Sequence, residues 1–341
     1  MQIDMHYGAI YYLANLVGIG ADEAEKIAWS SQFVDDAQFG GTVQFPSGAG
    51  CICSNSAHQY VTDNLSAHGR LVWIPFHFVP DTSTKGSFLD RLKCKKNSDL
   101  ASAAVQEALS ETDLSLKPYR LGVALHAYAD TWAHYEFSGF WSDSNLIEHV
   151  KPINVKQDLW ESFKAMAGTL YSELNGKQES ALGHLLADVC PDLPYLEWQY
   201  RITEGKPLIH RNNPEDYKKA LQAICKYLVQ YKSSTSNPQL PQMNWTVLDT
   251  LIGQQEDDPL KRLSRWSAAI STEFDRELPQ YKENTWIDDA LGKEWKKDKC
   301  IMADVPYSTF VKSDYWRFCE ALRKHSEFIV GSLSRQGLYV F

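Results

Sequence analysis

The stretch LGVALHAYADTWAHYEFSGF, residues 121–140, carries His126, Asp130 and His134 at steps of four. Around them stand Leu125, Tyr128, Ala129, Trp132 and Ala133, the composition of a buried face and not of a solvated one. On an α-helix each step of four turns the direction by only about 40°, so the three polar side chains share a stripe about 80° wide and about 12 Å long. Two imidazoles supply neutral nitrogen donors, and the carboxylate between them has two oxygens that can bridge two divalent ions. The plain alternative, a surface helix with two ordinary histidines, conflicts with the apolar company. The segment therefore predicts a core helix with a metal-binding stripe.

Helical signals dominate on both sides of it. Residues 8–17 and 21–38 read as helices, the second opening on Asp22 and Glu23, which suit a helix N-terminus. GGTVQFPSGAGCICSN reads as a hairpin near 41–54, two β-prone runs around PSGAG. Residues 56–67 read as a helix, and RLVWIPFHFVPD (70–81) as an extended run, because Pro75 and Pro80 disfavour a helix interior. Further helices are expected near 98–111, 117–139, 157–175 and 178–189, with a proline-limited loop over 191–198. Beyond these, 214–232, 246–255, 258–279 and 307–331 have helical periodicity, and SSTSNPQLPQ (233–242) is the best linker candidate. The predicted fold is mainly α: a multi-helix bundle with a buried metal site and a short β-hairpin insertion. Residues 1–232 form the metal-binding core, and 243–341 pack on it within one continuous domain.

Charge and composition narrow the function. A net charge of −9 argues against a footprint on duplex nucleic acid, whose phosphates would repel the protein as a whole. No run of about 18 apolar residues occurs, so no transmembrane segment is expected. The start MQIDMHYGAIYY has no basic region before an apolar one, which predicts a cytoplasmic protein. Seven scattered cysteines, with only Cys51 and Cys53 close, lack zinc-knuckle spacing and read as reduced structural thiols. No G-x-S-x-G, no G-x4-G-K-[ST] and no G-x-G-x-x-G occurs, and the His-Asp dipeptide of HD phosphohydrolases is absent.

Nine of the ten histidines precede position 211, several in apolar segments and in step with acids. IDMHY places Asp4 and His6 on one side of an extended start. QFVDDAQF sets Asp35 and Asp36 at a helix end among phenylalanines, and WIPFHFVP sets His77 between two more. GHLLADVCPD carries His184 and Asp188 at i, i+4, a second helical pair, with Asp192 as a nearby substitute. Burying so many ionisable groups without partners would cost several kcal/mol each. Metal ions remove that cost, which brings His77 in as a ligand as well. His149, His210 and His325 have no such partners and read as surface or capping residues.

The series resembles the zinc-dependent phospholipase C and single-strand nuclease superfamily, all-α enzymes with a trinuclear zinc cluster. Its ligand order is an N-terminal residue, an early His, an Asp, a His, H-x3-D, a His, and a final H-x3-D or H-x3-E. The resemblance implies His6 as the early His, Asp35 or Asp36 as the next acid and His77 as the loop His. His126 and Asp130 would be the central pair, with Asp130 bridging, while His134, His184 and Asp188 would complete a second metal. The phrases QIDMHY, QFVDD, PFHF, HAYADTWAH, FSG and PDLPYL are closer still to a group of microbial proteins of similar length with no assigned activity. Three departures leave the number of ions between one and three. Neither a signal peptide nor a freed amine is expected, so Asp4 would replace the amine. The last helical His follows the Asp by only four residues, and Asp192 is positioned to serve in place of Asp188.

The chemistry that follows is metal-dependent hydrolysis of a phosphoester, with zinc the favoured divalent metal and Asp130, Asp35 and Asp36 the catalytic carboxylates. Whichever of Asp35 and Asp36 is not a ligand would orient water or act as base. Tyr7, Phe76, Phe78, Tyr135, Phe137, Phe140 and Trp141 are candidate pocket walls, though core packing explains each taken singly. A small soluble phosphoester or a short single strand suits an acidic protein better than bulk anionic lipid or duplex DNA. The competing readings are an amide or ester hydrolase using the same metals, and a non-catalytic protein with a structural metal core.

Overall fold

The computed structural model describes residues 1–57, 67–83, 85–155, 180–202, 205–233, 239–296 and 300–340. Among these the chain is mainly α, with twelve helices and three small sheets. A widened helical turn of π type, Asp4–Ala9, runs straight into α1 (Ile10–Val17), and α2 follows at Ala21–Asp36. The hairpin strands β1 (Thr42–Gln44) and β2 (Gly50–Ile52) come next, then α3 (Ala67–Phe76), α4 (Phe88–Arg91) and α5 (Asp99–Leu109). The central helix is α6, Lys117–Ala133, in which every residue from Pro118 onward is buried. After it come β3 (Trp141–Ser142), β4 (Glu148–Pro152), β5 (Ala181–Leu182), β6 (Glu197–Arg201) and β7 (Ile209–Asn212). The last third holds α7 (Asn213–Ser233), α8 (Trp245–Gly253), α9 (Pro259–Phe274), α10 (Thr285–Leu291), β8 (Cys300–Met302), α11 (Tyr307–Phe310) and α12 (Asp314–Arg335).

Helix α6 is the axis because α2, α5, α7 and α12 all pack against it. The approach of α2 is close enough to require a glycine: a Cβ on Gly122 would stand 2.4 Å from the Ile27 carbonyl oxygen. One large apolar core runs from Leu13 and Val34 through Leu125 and Leu221 to Trp266 and Ile329, so both ends of the chain share it. A smaller core, with Phe78, Cys94, Phe137, Trp198 and Tyr200, lies against the β4–β6–β7 sheet. β8 joins the hairpin by pairing parallel to β1, with Thr42 opposite Cys300. No helix among the described residues is long and apolar enough to cross a membrane.

Several elements differ from the reading of the sequence. Of residues 70–81 the first seven are not extended: the helix runs to Phe76 with Pro75 in its last turn, where the missing N–H costs one bond, and it stops directly after, leaving Pro80 in a β-bridge with Cys94. The burial of Val72, Ile74 and Phe76 outweighs that loss. The stretch 178–189 is no α-helix where it is described, holding only a short 3-10 turn at Leu185–Ala187. Gly183, at φ +51 and with no room for a Cβ beneath the Phe78 ring, breaks it, and Asp188 lies at φ 50. α6 ends at Ala133 instead of 139, because residues 136 to 138 turn to pair with 93 and 94. The start is helical, not extended, so Asp4 and His6 face nearly opposite ways. The helix expected over 258–279 ends at Phe274, and that over 307–331 divides at Ser313, which caps α12. Strands β4, β6 and β7 are additional to the predicted hairpin. Most of the helix expected over 56–67 and all of that over 157–175 lie outside the described residues, as does the centre of the 233–242 linker.

Candidate metal centre

The site forms where the two cores meet. His77 stands between Phe76 of the large core and Phe78 of the small one, and His134 between Ala133 and Phe137. Asp130, 1% exposed, is at the middle. Its Oδ1 lies 3.1 Å from His6 Nε2 and 2.7 Å from the Met1 nitrogen. Its Oδ2 lies 3.3 Å from His77 Nδ1, 3.4 Å from His126 Nε2 and 3.5 Å from His134 Nδ1. Asp35 adds a second carboxylate, 3.6 Å from His126 Nε2, 3.7 Å from His77 Nδ1 and 3.9 Å from His6 Nε2. On the other flank His134 Nε2 is 3.0 Å from Asp192 Oδ1, and His184 Nε2 is 3.6 Å from Asp192 Oδ2. Three trios converge closely enough that each could hold a metal ion: His6, His126 and Asp130; Asp35, His77 and His126; His134, His184 and Asp192. The first two are alternatives, because they share the single free nitrogen of His126.

Four of the histidines are oriented by the backbone. His126 Nδ1–H donates to the Ser31 carbonyl at 2.7 Å, and His77 Nε2–H to Ser56 at 2.9 Å. His134 Nδ1–H donates to the His77 carbonyl at 2.8 Å, and His184 Nδ1–H to that of Asp188 at 2.9 Å. A carbonyl can only accept, so each ring carries its proton on the outer nitrogen. In the neutral ring the other nitrogen then bears a lone pair turned toward Asp35, Asp130 or Asp192. This is the arrangement by which metal-ligating histidines are oriented. The Gly122 contact makes the first of these bonds possible, since it brings α2 and Ser31 against α6 one turn from His126.

The electrostatics suit cation binding. Burial brings His6 and His184 down to about 4 and pushes His126 well below its usual range, so all three are neutral with free lone pairs. His77 is raised: its burial is outweighed by Asp130 and Asp35. Burial would raise Asp130, but His134, the Met1 amine, His126 and His6 hold it well below the carboxylate range. Asp192 is lowered likewise, burial opposing the Met1 amine and His184. Burial takes Asp35 to about 8, with Asp130 adding to the rise against His77. Burial also opposes the charge of the Met1 amine, yet Asp130, Asp192 and Asp35 raise it to about 11.

A cavity of about 210 Å³ opens onto this cluster, its apolar wall made by Ala57, Trp73 and Phe78. Of the aromatics proposed as walls only Phe78 lines it, stacked on His134 at 4.9 Å, and Trp73 was not among them. Tyr7 is in the large core against Trp29, Phe76 stacks on His325, Tyr135 on Arg211 and Phe137 on Tyr200.

Three candidates stand elsewhere. Asp4 does not replace the amine: it faces Arg262 Nε at 2.9 Å, and the Met1 nitrogen occupies the place expected of it. Asp36 turns away to Tyr281 Oη at 2.6 Å and Gln32 Nε2 at 3.0 Å. It lines a neighbouring groove of about 400 Å³ that shares Met1 and Asp35 with the site. The Asp188 carboxylate makes no part of the cluster, to which this residue contributes only its carbonyl. His149 and His210 are exposed, whereas His325 is buried and donates to the Pro75 carbonyl at 2.9 Å, capping the end of α3.

Other residues that shape the site carried no local signal. Arg211, fully buried, donates to the carbonyls of Ala133 at 2.5 Å and Tyr135 at 3.3 Å, gripping the chain on both sides of His134. Asn213 Nδ2 donates to the carbonyls of Cys190 at 2.7 Å and Leu193 at 2.8 Å, and Tyr217 Oη to Pro191 at 3.0 Å, fixing the turn that presents Asp192. Their partners lie 20 to 78 residues away in sequence, and only an expected contact map would have flagged them.

Fold and site together define a mainly α protein built around a buried histidine and aspartate cluster that could hold metal. The chain belongs to DUF6765, a family of unknown function whose profile matches residues 1–333. No curated protein and no solved structure matches it.

Proposed function

We propose that the cluster holds divalent transition-metal ions, zinc first, and that the protein is a metal-dependent phosphoester hydrolase akin to the zinc-dependent phospholipase C and single-strand nuclease superfamily. The observation that carries this reading is the set of four histidines locked by backbone carbonyls, with their remaining nitrogens converging on Asp35, Asp130 and Asp192. Nitrogen and carboxylate donors in this mixture favour zinc-like ions over magnesium or calcium. Bound ions would acidify water toward neutrality and offset charge on a phosphoryl group.

Asp130, with both oxygens among the ring nitrogens, is the residue suited to bridge. Asp35 is the carboxyl most open to the cavity, at 29% exposed, and it holds a proton below about pH 8 in the protein alone. It can release that proton as positive charge arrives, either to join the ligands or to accept one from the nucleophile. Asp36 is tied to Tyr281 and Gln32 and serves as neither. A cavity of about 210 Å³ is smaller than the usual drug-sized pocket, which favours a small soluble phosphoester. Trp73 and Phe78 in its wall suit the end of a short single strand equally.

The test uses protein purified without chelator or metal-affinity tag. Elemental analysis should find at least one zinc per chain, and the zinc-loaded protein should turn over members of a panel of phosphomonoesters and phosphodiesters. Asp130→Asn should lose both. Metal below about 0.2 equivalents with no uptake on titration overturns the metal centre. Full occupancy with turnover only of amides or carboxylic esters replaces the phosphoesterase by the other hydrolase class. Full occupancy with no turnover by any divalent metal leaves a structural centre.

A further inference from the structure

Arg262 on α9 is 1% exposed, and every nitrogen of its guanidinium is engaged, two of the three with the N-terminal turn. Nε meets Asp4 Oδ2 at 2.9 Å, and Nη2 meets Asp4 Oδ1 at 3.3 Å and Gln2 Oε1. Nη1 meets the carbonyls of Glu256 at 2.5 Å and Asp257 at 3.1 Å. One guanidinium thus fastens residues 2 and 4 to the start of α9. Those residues lie between the Met1 nitrogen and His6, both of which touch Asp130 Oδ1. Asp4 is itself fully buried. A buried ion pair seldom stabilises a fold more than apolar residues of the same volume would, and its best-attested use is to fix register. The register here is that of a π-type turn, a rare geometry often found at functional sites. It sends Asp4 outward to Arg262 and His6 inward to Asp130.

We propose that Asp4 and Arg262 are a positioning pair: they hold the first turn in register so that His6 completes the cluster, and they make the site depend on docking of the C-terminal third. The consequence for metal rests on the reading above. The pair touches no ring nitrogen of the cluster and acts only through the chain it holds.

The test compares the full-length parent with the double variant Asp4→Asn/Arg262→Gln, which removes both buried charges together. Cobalt(II) titration followed by its visible bands reads affinity and ligand geometry, and backbone hydrogen exchange reads the turn directly. The double variant should keep the parent's far-ultraviolet spectrum and bind cobalt at least tenfold more weakly, the size of effect that loss of an outer partner has on metal sites. Its bands should shift, and exchange should quicken in 1–17 while 117–133 stays protected. A purely stabilising pair would lower the melting temperature and leave cobalt affinity and bands as in the parent, which overturns the proposal. A parent that binds no cobalt overturns the metal reading instead. Exchange then decides alone: quickening confined to 1–17 supports the positioning role, and unchanged exchange refutes it. If the double variant does not fold, Arg262→Lys is judged by the same criteria, since it keeps the charge but cannot span the five acceptors.

Discussion

Replacing Gly122 by alanine sets two opposed effects against each other in one helix. Alanine is the better helix former by about 1 kcal/mol, so an open helical position would gain. At Gly122 a Cβ would stand 2.4 Å from the Ile27 carbonyl oxygen, 2.6 Å from Ser30 Cβ and 3.1 Å from the Ser31 nitrogen. The first and last of these are backbone atoms, so no rotamer relieves the clash and the two helices must part by roughly 1 Å. Overpacking costs about 1–3 kcal/mol, and contact with rigid backbone places this case at the upper end. The net effect is a loss of about 2 kcal/mol, or about 3 °C in melting temperature for a cooperative chain of this length. Parting the helices also stretches the 2.7 Å bond from His126 to Ser31, so zinc affinity should fall with stability. The assay is thermal and urea unfolding of the parent, Gly122→Ala and Gly331→Ala. Gly331 is the control, because its added Cβ meets only Arg335 Nη1 at 3.5 Å, an ordinary contact. Gly331→Ala should be neutral or more stable by up to about 1 kcal/mol. A Gly122→Ala protein as stable as the parent would refute the close-approach reasoning.

Asp192→Asn should lower the zinc content measured by elemental analysis, whereas Asp188→Asn should leave it unchanged; the reverse result would restore the i, i+4 pairing. Arg211→Lys cannot reach both the Ala133 and Tyr135 carbonyls and loses the stack on Tyr135, so it should cost about 2–3 kcal/mol in urea unfolding and weaken metal binding. An unchanged midpoint would remove Arg211 from the support of His134. Burial holds His325 at about 4 against its ordinary 6.5, so the unfolded chain takes up its proton first. The stability His325 contributes is present above pH 6.5 and is lost progressively as pH falls toward 4. His325→Gln should therefore flatten the dependence of melting temperature on pH across that window, and an unaltered slope would contradict a neutral, buried His325.

What could be read from the sequence was what local spacing controls. His126 and Asp130 fall on one face of a buried helix because four-residue steps and apolar neighbours are properties of the segment itself, and the helix formed where that periodicity placed it. The hairpin, α2, α7 and the helical last third follow from the same short-range preferences. Tertiary structure decided wherever a distant partner outweighs them. Pro75 stays helical because Val72, Ile74 and Phe76 are buried, and 181–188 forms no α-helix because the chain turns at Gly183, packed directly under Phe78. Asp192 and not Asp188 faces His134 because Asn213 and Tyr217 hold its turn, and Asp4 leaves the cluster because Arg262, 258 residues away, binds it more completely. Even His126, legible from its spacing, owes the direction of its lone pair to a carbonyl 95 residues earlier in the chain. Periodicity states which face a side chain occupies; only packing between remote segments selects the partner that face meets and the nitrogen it presents.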